Sequence, residues 1–156
     1  MGNAYEILKY AKDRNPNSHI HEDMEILISL SNEGTFFVRE HGYALRFGRV
    51  FVLPPFEIHR CFCNGSQKYD RYIIHFRREM LKEMSTSHTD LLELFSAGPL
   101  VYQASDDTLA MLLSDLAALV KEPGTAFGDD IARNLQFQRF LLTVARFFKS
   151  MERGPH

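Results

Sequence analysis

The feature that most limits how this chain can fold is a change of hydrophobic period near residue 104. Before that point apolar and polar residues alternate in short runs broken by Gly, Pro and Asn; beyond it apolar residues recur every three or four positions. A period of two puts neighbouring side chains on opposite faces of a strand, and a period near 3.6 puts a stripe along a helix. The expectation is a mainly β chain with C-terminal helices. "MEILISL" (24–30) reads as a strand followed by the turn "SNEG". "TFFVRE" passes through His41-Gly42 into "YALRF", a hairpin in which glycine supplies a positive φ. "RVFVLPP" is a further strand, ended by Pro54-Pro55 because proline has no N–H for a ladder. "IHRCFC", the turn "NGS" and "YDRYIIHF" make another hairpin. Short strands at this spacing, with Gly and Pro at the corners, suit a sandwich or small barrel.

From residue 77, "RREMLKEM" and "HTDLLELF" read as short helices, followed by an edge strand "LVYQ". Ser105, with acidic residues after it, fits an N-cap, and Leu109, Leu112, Leu113, Leu116 and Val120 keep helical spacing up to the break "EPG". A second helix spans 128–151 with Ile131, Leu135, Phe140, Val144, Phe147, Phe148 and Met151 on a broad stripe. Two such helices joined by a Pro-Gly turn form an antiparallel pair. Their stripes serve to cover the sheet, and Leu135, Phe140, Val144, Phe147 and Phe148 also suit contact with a second copy of the chain.

At 156 residues the chain is long enough for one domain with a real core, organised as an arm (1–18), a barrel (19–76), short helices and an edge strand (77–104) and a helix pair (105–151). Its 45% hydrophobic content points to a packed interior, and no apolar run reaches a membrane span. The N-terminal "MGNAYEILKYAKDRN" is polar and mixed in charge, unlike a signal peptide, so the expected compartment is the cytoplasm. Cys61 and Cys63 sit one residue apart on one strand face and suit no common disulfide framework, so reduced thiols are expected. The formal net charge of −2 gives no general attraction for a polyphosphate backbone, which argues against DNA binding by these residues alone.

"HIHEDMEIL" (19–27) carries the most chemistry. His19, His21 and Glu25 share one parity, as do His59, Cys61 and Cys63. If the two runs lie near each other in a barrel, three imidazoles and a carboxylate converge inside it, a sensible set for zinc, nickel, iron or copper. The alternative is that these residues hydrogen-bond at the barrel mouth. Phe37, Tyr43, Leu45, Phe47, Phe51 and Cys61 offer walls for a small organic ligand, although alternation leaves open which of them face inward. Arg71 reads as an anion anchor or, more often for a strand arginine between tyrosines, as a surface or ion-paired residue. Cys61 reads equally as a small buried hydrophobe, and His41 and His75 show no partner pattern.

These residues carry a resemblance. "HIHEDME" and "GRVFVLPPFEIH" resemble the two cupin motifs, and the resemblance implies that His19, His21, Glu25 and His59 occupy the metal-ligand positions of a cupin-like double-stranded β-helix, a jelly-roll barrel. Over a longer stretch, Gly48 to His59 followed by Tyr69, Arg71 and Phe76 resembles the N-terminal effector-binding domain of AraC-type bacterial transcription regulators. That resemblance spans about residues 17–150. It implies a barrel that binds a small-molecule effector, an N-terminal arm whose packing responds to it, a homodimer formed through the C-terminal helices, and DNA contacts made only by a helix-turn-helix part that is absent from these 156 residues. It implies no enzymatic activity. The rival expectation is a metal-dependent cupin enzyme, a dioxygenase or isomerase, for which no positioned acid or base is evident: Glu22, Asp23 and Glu57 lie on expected loops.

Overall fold

The structure is a computed structural model that describes residues 5–10, 23–62 and 70–152. The chain divides into two compact units, residues 1–103 and 104–156.

The first unit contains eight strands. They are β1 (Tyr5–Tyr10), β2 (Met24–Ser29), β3 (Thr35–Val38), β4 (His41–Ala44), β5 (Arg49–Leu53), β6 (His59–Phe62), β7 (Arg71–Phe76) and β8 (Leu100–Gln103). Two short helices, α1 (Arg78–Met84) and α2 (Leu91–Ser96), lie between β7 and β8. The strands form a five-stranded sheet in the order β1-β7-β2-β5-β8 and a three-stranded sheet in the order β4-β3-β6, with antiparallel pairing throughout. This is the expected cupin-like β architecture. The expected arm contains a strand, because β1 pairs along its whole length with β7 from Tyr5↔Phe76 to Tyr10↔Arg71.

Every residue of β2 is buried, which a strand at the centre of a sheet covered on both faces requires. One face of the large sheet carries Met24, Ile26, Ile28, Val50, Val52, Tyr72, Ile74 and Phe76. Phe76 meets Phe95 of α2 edge to face at 6.5 Å, and Met80, Leu81 and Leu91 of the short helices are buried as well. The opposite face meets the small sheet.

The hairpin between β3 and β4 turns two residues earlier than expected. Arg39 takes the positive φ, 56°, while His41 and Gly42 belong to β4. Gly42 is needed for a different reason: a Cβ there would lie 3.0 Å from Phe37 Cε1 and 3.2 Å from Thr35 Cγ2, so the cross-strand Phe37 ring occupies the space.

The second unit is the helix pair α3 (Asp106–Leu119) and α4 (Asp129–Glu152). The Ser105 side chain accepts a hydrogen bond from the Thr108 amide at 3.2 Å, which caps α3 as its position suggests. Leu109, Leu112, Leu116 and Leu119 are buried on α3, and Phe137, Phe140, Leu141, Val144, Ala145 and Phe148 on α4. Arg133 of α4 donates to the carbonyls of Leu119 and Lys121, filling acceptors that the end of α3 leaves without an intrahelical donor. One turn and a half further on, Arg139 donates to the buried Asp115 of α3. No helix among the described residues is long and apolar enough to cross a membrane.

Candidate functional site

The site is built by register. On the inner face of the large sheet, Glu25 lies opposite Leu53 of β5 and His75 of β7, Leu27 opposite Phe51 and Ile73, and Ser29 opposite Arg71. On the small sheet Phe36 lies opposite Tyr43 and Cys61, and Val38 opposite His41 and His59. Leu27, Phe36, Val38, Leu45, Phe51 and Leu53 form one buried cluster, with Tyr43, Cys61, Ile73 and Val101 half-buried against it. The Phe36 and Phe51 rings stand 4.7 Å apart, and Tyr43 meets Phe51 edge on at 6.0 Å. The middle of the barrel is therefore apolar.

One end is not. Glu25 is 2% exposed, and its two carboxylate oxygens each meet an imidazole: Oε1 lies 2.7 Å from His75 Nε2, and Oε2 lies 3.3 Å from His59 Nε2. Burial opposes the charge on Glu25, yet the hydrogen bonds and positive charge of His59 and His75 outweigh it and hold the carboxyl well below the usual carboxylate range. Burial likewise opposes charge on the two rings, but Glu25 raises both above the ordinary histidine value. His59 Nδ1 donates to the carbonyl of Glu57 at 2.8 Å; a carbonyl can only accept, so Nδ1 carries a proton. The His59 Nε2, 3.3 Å from Glu25 Oε2, pairs with that carboxylate when the ring is protonated. His75 is further favoured by the charges of Glu6 and Asp23.

The expected residues divide as follows. Glu25 and His59 come together, whereas His19 and His21 lie outside the described residues. Tyr43, Leu45, Phe51 and Cys61 belong to the interior cluster. Phe37 does not: it has the opposite parity to Phe36 and Val38, and the Arg60 guanidinium lies 5.0 Å over its ring on the outer face. Phe47 is 48% exposed in the turn before β5, outside the strands that build the interior. Arg71 is 4% exposed at the far end of the inner face, so it is not a surface residue. On α4, Phe140, Val144 and Phe148 are buried within the chain itself, which leaves them no side-chain surface for a second copy; Leu135 is 59% exposed and Phe147 half-buried. Cys63 lies outside the described residues.

Sequence reasoning missed His75, Ile73 and Val101. The parity of Ile73 and His75 with Arg71 was visible, but the register that sets His75 opposite Glu25 joins residues fifty positions apart and has no local signature.

Two imidazole nitrogens and a carboxylate are suitable in kind for a borderline divalent ion. Among the described residues, however, no group of three or more is arranged to hold one. The 2.7 Å contact between His75 Nε2 and Glu25 Oε1 is the length of a charge-assisted hydrogen bond, in which the two groups share a proton.

Known structures share this fold at low sequence identity. ToxT from Vibrio cholerae with a bound unsaturated fatty acid superposes with a TM-score of 0.60 at 8% identity, covering 97% of this chain and 56% of that one. ToxT bound to (E)-4-(8-methylnaphthalen-1-yl)but-3-enoic acid superposes at 0.56 with 9% identity, covering 97% and 57%. A ligand-free ToxT variant from the same species superposes at 0.61 with 9% identity, again covering 97% and 57%. The chain thus spans little more than half the length of these relatives. No curated protein sequence matches it. The model of the AraC-like ligand binding domain matches residues 4–141, the whole of both sheets and most of the helix pair. The chain belongs to the AraC-like ligand binding domain family.

Proposed function

We propose that this chain is the effector sensor and pairing module of an AraC-type transcription regulator, without catalytic turnover of its own. The observation that carries the reading is a two-sheet interior whose middle is apolar, with Glu25, His59 and His75 clustered at one end of the inner face and the buried Arg71 at the other. Such an interior suits a small organic molecule with an apolar body and a polar end. Leu45 and Phe51 are fully buried in the cluster, so the residues open to a ligand are those of the same inner faces that remain half-exposed: Tyr43, Cys61, Ile73, His75 and Val101. Monocarboxylic acids with an apolar body, the class bound in the ToxT structures, are the first probes.

The helix pair supports the second half of the proposal. Ile131 and Leu135, one turn apart on α4, are 63% and 59% exposed, a pair of large apolar side chains that a second copy would cover. An effector that favours one packing of the sensor shifts the population of the dimer that a DNA-binding domain reads.

Calorimetric titration with a series of such acids, with nuclear magnetic resonance to locate the contacts, tests the sensor reading. Saturable binding that shifts Ile73, His75 and Cys61 is expected. Binding that leaves these residues untouched would refute the assignment of the site.

A further inference from the structure

The loop between β5 and β6 contains a short stretch that neither the apolar walls nor the Glu25 cluster explains. Its exposures alternate: Phe56 is 67% exposed, Glu57 is 6% exposed, Ile58 is 49% exposed and His59 is 3% exposed. Phe56 holds a φ of 65°, a left-handed backbone that costs a residue with a Cβ about 1–3 kcal/mol and persists only where its surroundings impose it. The described residues contain one other such position outside glycine, Arg39 with φ 56°, in the β3–β4 turn.

Arg39 is joined to the two residues that follow Phe56. The Arg39 guanidinium takes the Glu57 carboxylate in two contacts, Nε to Oε1 and Nη2 to Oε2, the latter at 3.1 Å. The Arg39 amide donates to the Ile58 carbonyl at 3.0 Å. Glu57, itself buried, presents its own backbone carbonyl to His59 Nδ1 at 2.8 Å. A chain of contacts therefore runs from an exposed guanidinium, through a buried carboxylate and its main chain, to the imidazole that faces Glu25.

We infer that Arg39 and Glu57 are positioning residues for His59: their ion pair fixes the loop carbonyl that orients the imidazole toward Glu25. This deepens the proposed sensor function and rests on it for its biological meaning, but the geometry is testable without any ligand. It explains why an arginine stands in left-handed backbone where glycine would be easier. It also explains why a glutamate is buried at the barrel mouth. Anything that loosens the Arg39 grip on the surface frees the ring inside, so the β3–β4 turn tunes the polar end of the site.

The experiment uses the full chain with 15N-labelled histidines and follows the ring N–H protons by nuclear magnetic resonance. In the parent protein His59 should show a protected Nδ1–H. In Arg39→Met, which keeps the aliphatic stem, exchange of that proton should accelerate several-fold, on the order of fivefold for an ion pair with one exposed member. His75, which bonds Glu25 from β7 in the other sheet, should keep its signature. Should Arg39→Met lose its fold by circular dichroism, Glu57→Gln carries the same test, since it keeps the backbone carbonyl and removes only the charge gripped by Arg39. A His59 ring whose proton exchange is unchanged in a folded variant, or a variant that disturbs His75 as much as His59, overturns the inference. Neither result bears on whether the barrel binds an organic acid.

Discussion

Replacing Glu25 by glutamine removes one charge from between two imidazoles while preserving the volume of the side chain. Glu25 is 2% exposed, with nitrogens at 2.7 and 3.3 Å. Breaking a buried charge pair by removing one partner costs about 3–5 kcal/mol. Glutamine retains an acceptor and the shape, so the lower end applies, about 3 kcal/mol. For a chain of this size that lowers the midpoint of thermal unfolding by roughly 6–12 °C.

The pH dependence follows from the directions of the shifts. Glu25 is held below its ordinary 4.5, so its contribution is present above that value and disappears as pH falls through its lowered folded-state pKa. His59 and His75 are raised above their ordinary 6.5, so theirs is complete below 6.5 and disappears as pH rises through their raised folded-state values. The gap between parent and Glu25→Gln is therefore widest between about pH 4.5 and 6.5 and narrows on both sides. Differential scanning calorimetry from pH 4 to 9 measures it. Profiles that run parallel across this range, with no widening near pH 5 to 6, would refute the view of Glu25, His59 and His75 as one proton-sharing unit.

Three further outcomes are expected. Phe56→Gly relieves the left-handed strain at a side chain that is 67% exposed, and should stabilise the fold by about 0.5–1 kcal/mol once the extra freedom of the unfolded chain is subtracted; urea denaturation measures it. Leu135→Asp, at 59% exposure on α4, should lower the sedimentation mass from dimer to monomer at micromolar concentration while leaving helix content unchanged, and a parent protein already monomeric there would contradict pairing through this face. Protein purified without an affinity tag should contain well under one equivalent of zinc, nickel, iron or copper by elemental analysis; a stoichiometric ion would return Glu25 and His59 to coordination chemistry.

What could be read in advance was what local chemistry decides. Short apolar runs marked β2 and β5, Pro54 closed β5, and Ser105 announced α3, because each depends on residues within a few positions of one another. The errors share a different cause. The positive φ at Arg39 is sustained by Glu57, eighteen residues away, so the turn could not be placed from Gly42 alone. Phe37 and Phe36 are neighbours in sequence, and only the pairing of β3 with β6 reveals which one meets Arg60 outside and which meets Phe51 inside. In the same way the apolar stripe of α4 was visible, but which of its residues are buried depends on what covers them: Phe140 is buried and Leu135 is not. The strand β1 escaped notice because "YEILKY" has no clean alternation, and its place is fixed by β7, some sixty-five residues further on.

Arg133 and Arg139 fasten α4 to the end and the middle of α3 by side-chain bonds. Residues 122–127, between the helices and beyond the carbonyls that Arg133 takes, are exposed throughout. Because the fastening does not pass through that connection, its length is free to drift: doubling a flexible loop adds only about 0.6 kcal/mol of closure entropy. Insertions or a reporter tag there should be absorbed with the helical hairpin intact, and a protease that nicks the segment should leave two fragments that still travel together.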